Sequence, residues 1–85
     1  MKEFTYTITD PAGIHARPAG LLVKQAQPYA SEVTICKEDR QANAKSMLSI
    51  MGLGAKNGEV VTVRAEGADE DSVVAELEAF FKENL

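Results

Sequence analysis

Several residue types are scarce in this chain: it has no tryptophan, one cysteine and one histidine. The single cysteine, Cys36, cannot close a disulfide within the chain and leaves no cysteine pair for a structural zinc site. One histidine likewise cannot supply the ligand cluster that a metal site needs. We therefore expect no metal and no other cofactor.

Long apolar runs are also missing. The longest, such as residues 21–23, fall far short of the roughly 20 apolar residues that a membrane-spanning helix requires. No basic and apolar leader follows Met1. The expectation is a cytoplasmic protein that does not insert into a membrane.

Basic residues are outnumbered, with 9 lysines and arginines against 13 aspartates and glutamates and a net charge of −4. Binding to a nucleic-acid backbone depends mainly on lysine and arginine contacts to phosphates. A small RNA-binding or metal-handling domain is one rival interpretation. The acidic balance and the single cysteine and histidine argue against it.

The length of 85 residues and the hydrophobic fraction of 45% suit one modest core between two layers. We expect residues 1–85 to form a single domain, and a monomer is the simplest state. Alternating apolar residues predict strands at 4–8, 33–35 and 61–65, and a short one through 41–44. Helical spacing predicts helices that begin near His15 or Ala16, after an N-cap at Ser46 and after an N-cap at Asp69.

The resulting order, β-α-β-β-α-β-α, predicts the α+β class. Short connections and right-handed crossovers favour a four-stranded antiparallel sheet with three helices on one face, an open-faced sandwich. The other face of the sheet would contact water. Because this architecture carries many unrelated functions, it does not by itself identify an activity.

The only histidine, His15, lies where a glycine-containing loop meets a helix N-terminus. The N–H groups of Ala16 and Arg17 have no intrahelical partner there, and Pro18 is tolerated because its missing N–H would also have had none. With the guanidinium of Arg17, this end of the helix predicts an anion site. A neutral imidazole there can attack phosphorus and form a labile phosphoramidate.

Two other interpretations of His15 stay open at this point. A lone histidine beside a loop is often only a polar surface residue, or it caps the helix that follows. We expect no group near His15 to activate water, because no carboxylate or second histidine lies nearby in the sequence. That expectation favours a carrier over a hydrolase.

The segment Gly13-Ile14-His15-Ala16-Arg17-Pro18-Ala19 resembles the active-site signature of the HPr family, the histidine-containing phosphocarriers of the sugar phosphotransferase system. A second segment, Lys45-Ser46-Met47-Leu48 followed by Ile50, Leu53 and Gly54, is similar to the region around the regulatory serine of that family. The resemblance extends over essentially the whole chain. Gly20 and Ala12 depart from the residues that are usual in the family.

The resemblance implies a carrier rather than an enzyme. Enzyme I, charged by phosphoenolpyruvate, would phosphorylate His15 at Nδ1, and sugar-specific A domains of the transport complexes would receive the phosphoryl group. Arg17 and the backbone of Ala16 and Arg17 would bind the phosphate, while the partners supply the catalysis.

Ser46 has two interpretations. As a helix N-cap alone it would contribute about 1 kcal/mol. The resemblance implies a regulatory site that a serine kinase phosphorylates and a phosphorylase dephosphorylates. The phosphorylated protein would act with a catabolite-control transcription factor. A purely regulatory protein that works through Ser46 alone is a second rival, and the presence of His15 and Arg17 argues against it.

The short second helix has more apolar residues than one buried face needs, which predicts a docking surface for partners. The alternative is that these side chains only extend the edge of the core. Lysines around the surface would speed encounter with acidic partners. The residues predicted for docking are Leu21, Lys24, Lys45, Met47, Leu48 and Met51.

Overall fold

The computed structural model describes residues 1–85 and contains four strands and three helices. The strands are β1 (Lys2–Thr7), β2 (Glu32–Lys37), β3 (Arg40–Asn43) and β4 (Val60–Glu66). The helices are α1 (Ala16–Ala26), α2 (Met47–Leu53) and α3 (Glu70–Asn84). The predicted order of elements is confirmed, and β3 lies one residue earlier than expected. No helix has both the length and the apolar character needed to cross a membrane.

The four strands form one antiparallel sheet in the order β1-β4-β2-β3. In this register Phe4 and Ile35 both lie opposite Val63, and Ile35 also lies opposite Ala42. Since side chains alternate between the faces of a strand, these residues share one face of the sheet. The open-faced α+β sandwich expected from the sequence is confirmed.

The core lies between the sheet and the helices. Val61, Val63 and Ile35 are fully buried, as is Phe81 of α3. The Phe81 ring packs edge to face against Phe4 of β1, with ring centroids 5.8 Å apart. The opposite face of the sheet carries polar side chains from the alternate positions, and they are Glu3, Thr5, Thr34, Gln41, Asn43, Thr62 and Arg64.

Both ends of α2 follow from local chemistry. Ser46 lies in extended backbone before the helix, and its hydroxyl accepts a hydrogen bond from Ser49 N at 3.3 Å. Gly54 ends the helix in the left-handed conformation, with φ of 67°, which glycine adopts without steric cost. The N-cap predicted at Ser46 is therefore present.

Asp69 occupies the N-cap position of α3, but its side chain does not cap the helix. The carboxylate instead accepts hydrogen bonds from the hydroxyl of Ser31, from Ser31 N at 2.9 Å and from Ala30 N at 3.0 Å. The predicted N-cap position is confirmed, but the expected hydrogen bond from the carboxylate to the helix is wrong. Donors from the loop before β2 bind the carboxylate instead. These bonds, the Ser31 hydroxyl first, lower the pKa of Asp69.

We expect Asp69→Asn to lower the melting temperature at neutral pH. A carboxylate whose pKa is lower in the folded state stabilises the fold above its unfolded pKa of about 3.9, and this contribution is lost as pH falls through the folded pKa. The gap between wild type and variant should therefore narrow at acid pH. Thermal melts from pH 7 to pH 2 would measure it. Asp71→Asn, at an exposed position, is the control, and a gap that does not change with pH would contradict the assignment.

Candidate functional site

The loop before His15 is held in place by Asp10. Its backbone carbonyl accepts a hydrogen bond from Gly13 N at 2.9 Å, and its Oδ1 accepts one from Ala12 N at 2.8 Å. Asparagine and aspartate often form such turns, in which the side chain bonds the backbone two residues on. The loop therefore enters α1 with a defined path.

Gly13 allows that loop to lie directly against the segment that follows α2. Its φ is 69°, and a Cβ placed on it would lie 2.5 Å from the carbonyl oxygen of Ala55 and 2.8 Å from Cα of Lys56. The next residue, Ile14, donates its N–H to the same Ala55 carbonyl at 3.0 Å. Only glycine fits this close approach without displacing the backbone.

Residues from the other end of the chain complete the loop. The carbonyl oxygen of Leu85 accepts hydrogen bonds from Thr9 N at 2.6 Å and Asp10 N at 2.8 Å, and Leu85 itself is buried. The side chain of Asn57 donates to the carbonyl of Thr9 at 3.0 Å. The C-terminal end of α3 therefore lies beside the loop that leads to His15.

His15 occupies the N-cap position of α1 in extended backbone, with φ of −106° and ψ of −175°. Its carbonyl accepts the first helical hydrogen bond, from Ala19 N at 3.0 Å, but its imidazole makes no capping bond. The N–H groups of Ala16 and Arg17 have no partner within the chain. The imidazole, with 42% of its side chain exposed, thus lies at a helix end that offers free donors.

A shallow depression in the surface brings three of the predicted residues together with three that were not predicted as site residues. His15, Arg17 and Leu21 all line it, as the sequence led us to expect. Its other lining residues are Asp10, Pro18 and Asn84. Asn84 comes from the end of α3 and donates its amide to the carbonyl of Phe80 at 3.0 Å. No local sequence pattern connects residue 84 to residue 15.

A carboxylate lies closer to His15 than the sequence led us to expect. Asp10 Oδ1 is 3.8 Å from His15 Nε2, and 27% of the Asp10 side chain is exposed. The expectation that no carboxylate lies near the histidine is therefore wrong. The available signal was the turn-forming sequence Asp10-Pro11-Ala12-Gly13, which folds back toward the helix end.

The predicted apolar docking residues are exposed. The exposed fractions are 47% for Leu21, 36% for Met47, 84% for Leu48 and 42% for Met51, whereas their neighbour Ile50 is buried. These four residues, which we call the apolar surface, lie on α1 and α2, two helices that contact each other. Large exposed apolar side chains in a cluster are typical of an interaction site.

The two lysines predicted beside the apolar surface differ. Lys24 is exposed. Lys45 Nζ donates to the carbonyl of Tyr29 at 2.6 Å, and the carbonyl of Lys45 accepts a hydrogen bond from the Gln27 side chain at 2.6 Å. Lys45, the residue before Ser46, is therefore bonded to the segment after α1 in addition to carrying charge.

The two departures from the family pattern lie at open positions. Gly20 is exposed on α1, and a Cβ placed on it would have no atom within 4 Å. Ala12 is also exposed, and its role in the loop comes through its backbone N–H to Asp10. Neither residue lines the depression that contains His15 and Arg17.

The fold and the site together define a class: a small open-faced α+β protein whose only histidine lies at a helix N-terminus with free N–H donors. A family model described as the PTS HPr component phosphorylation site matches residues 2–83. The chain belongs to the HPr family, the phosphocarriers of the phosphotransferase system.

Relatives agree with this assignment in sequence and in structure. The phosphocarrier protein HPr of Lysinibacillus sphaericus is 45% identical over 83 residues, which cover 98% of this chain and 94% of the relative. A solved histidine-containing phosphocarrier protein of Mycoplasma has a TM-score of 0.90 at 35% identity, covering 93% of this chain and 90% of the other.

A third relative is the Bacillus subtilis catabolite repression protein Crh, whose crystal structure is described as a dimer with a swapped domain. It has a TM-score of 0.78 at 33% identity and covers 100% of this chain and 98% of its own.

Proposed function

We propose that this chain accepts a phosphoryl group on His15 from enzyme I charged by phosphoenolpyruvate. It then passes the group to sugar-specific A domains of the phosphotransferase system. The observation that carries the proposal is the exposed imidazole of His15 in one depression with Arg17, at a helix end with free N–H donors. Membership of the HPr family supports phosphoryl transfer as the chemistry of this site.

The site supplies an acceptor atom and a binding place for the transferred group. The positive end of the α1 dipole, the N–H groups of Ala16 and Arg17 and the Arg17 guanidinium all favour the charge of a phosphate. The partners supply the remaining catalytic groups, so the chain acts as a carrier and not as an enzyme.

Partners are proposed to dock on the apolar surface, because Leu21 belongs both to it and to the depression around His15. Lys24 would add positive charge that speeds encounter with acidic partners. A carrier that meets several partners through one surface needs that surface free, so we propose that the chain is a monomer. We also propose that it acts in the cytoplasm.

His15→Ala should abolish acid-labile phosphorylation by phosphoenolpyruvate and enzyme I. The side chain makes no capping bond, so the free energy of unfolding should change by less than about 0.5 kcal/mol. Mass spectrometry with an acid-lability test measures the label, and a thermal melt checks the fold. Labelling that persists in the folded variant would show that another residue accepts the phosphoryl group.

Arg17→Ala should leave His15 able to accept the phosphoryl group but slow the transfer by roughly a hundredfold, because a charged donor to the transferred group is lost. Rapid-quench kinetics with enzyme I would measure the rate. Arg64→Ala is the matched control, since Arg64 pairs with Glu3 on the open face of the sheet. Equal rates in the two variants would remove Arg17 from the mechanism.

Regulation through Ser46 is a second proposed function. Ser46 is only partly buried and is the N-cap of α2, the helix that carries Met47, Leu48 and Met51. A phosphate there would add a charge of roughly −2 beside the apolar surface. A serine kinase and phosphorylase would control that charge, and the modified chain would act with a catabolite-control transcription factor.

Ser46→Ala should lower the free energy of unfolding by about 1 kcal/mol, because Ser49 N–H loses its acceptor. It should also remove acid-stable labelling by ATP and the serine kinase, while acid-labile labelling of His15 continues. Urea unfolding and mass spectrometry measure the two effects. Ser49→Ala is the control that should keep the acid-stable label. Kinase labelling of Ser46→Ala would rule out Ser46 as the phosphorylated residue.

A further inference from the structure

Asp10 is held on three sides by hydrogen bonds within the loop before His15 and to Leu85. Its N–H donates to Leu85, its carbonyl accepts from Gly13 N, and its Oδ1 accepts from Ala12 N. Such a set fixes the carboxylate in space before any partner arrives. The same Oδ1 lies 3.8 Å from Nε2 of His15.

We propose that Asp10 is a positioning residue for phosphoryl transfer, which holds the His15 imidazole with its proton on Nε2 and leaves the Nδ1 lone pair free to attack phosphorus. This inference rests on the proposed function of His15. It adds a residue that acts through the histidine and does not touch the phosphoryl group.

The physical reason is that an ionised carboxylate only accepts hydrogen bonds. A neutral imidazole carries one N–H and one lone pair, and the lone pair is disfavoured on the side that faces a negative charge. The 3.8 Å separation is longer than a direct hydrogen bond, so the carboxylate acts through its charge. Asp10 and Arg17 are the two charged side chains in the depression.

The proton on Nε2 does not need to move during the transfer. When Nδ1 attacks, an N–P bond forms to His15, and the bond between phosphorus and the donor group of enzyme I breaks, its electron pair leaving with the donor. The ring of His15 then carries a positive charge with its N–H still facing Asp10. When the group moves on, the electron pair of the N–P bond returns to Nδ1, and a neutral imidazole is the leaving group. A carboxylate beside Nε2 favours the cationic ring that makes this departure easy.

The first test uses the unphosphorylated protein. Asp10→Asn removes the charge but keeps an oxygen that can accept the Ala12 N–H, and Asp10→Ala removes both. Asp39→Asn, at an exposed position between β2 and β3, is the matched control. Two-bond proton–nitrogen NMR spectra of the ¹⁵N-labelled imidazole report which nitrogen carries the proton.

We expect the ratio of Nε2–H to Nδ1–H imidazole to fall by about threefold in Asp10→Asn at low ionic strength, with no change in Asp39→Asn. A loss of loop structure alone would not select one nitrogen. Amide spectra identify a variant whose loop has changed. Wild-type tautomer ratios in both Asp10 variants would overturn the proposal.

The second test follows transfer from phosphorylated protein to an A domain. We expect Asp10→Asn to slow this step several-fold while labelling of His15 remains stoichiometric. Transfer at the wild-type rate would overturn the role of Asp10 in the reaction. Absence of His15 labelling in the wild type would instead overturn the proposed function, and the NMR result would still decide which tautomer Asp10 favours.

Discussion

The contact between the His15 loop and the segment after α2 is the constraint on which the site depends. The Ala55 carbonyl receives the N–H of Ile14, and Gly13 lies so close to it that no side chain fits. This contact directs the chain into α1 with His15 at the helix end. Because Ala55 follows α2 closely in the chain, the same contact links the loop before α1 to the C-terminal end of α2.

The features that the sequence predicts well are those set by residues close together in the chain. Alternation and helical spacing predicted the order of elements, and the residues at the start of α1 predicted a helix end with free N–H donors beside His15. Exposure of Leu48 followed from the excess of apolar residues on a short helix. Each of these features depends on residues within a few positions of one another, where propensity and periodicity act.

The remaining part depends on contacts between distant residues. The position and residue type of Asp69 predict a helix cap, yet its carboxylate accepts hydrogen bonds from Ser31 and Ala30 instead. Leu85 meets the loop at Thr9 and Asp10 through its backbone carbonyl, which no side-chain pattern reveals. The closeness of Asp10 to His15 likewise follows from the path of the loop and not from spacing alone.

The position of β4 has a consequence for how the protein is made. β4 lies between β1 and β2, so the first strand has no partner in the sheet until residues 60–66 are available. The loop that bears His15 needs Leu85 as well. During synthesis from the N-terminus, His15 is made before both β4 and Leu85. A nascent chain therefore carries His15 before it carries the contacts that position His15, and we expect the proposed acceptance of a phosphoryl group to require the folded residues 60–85.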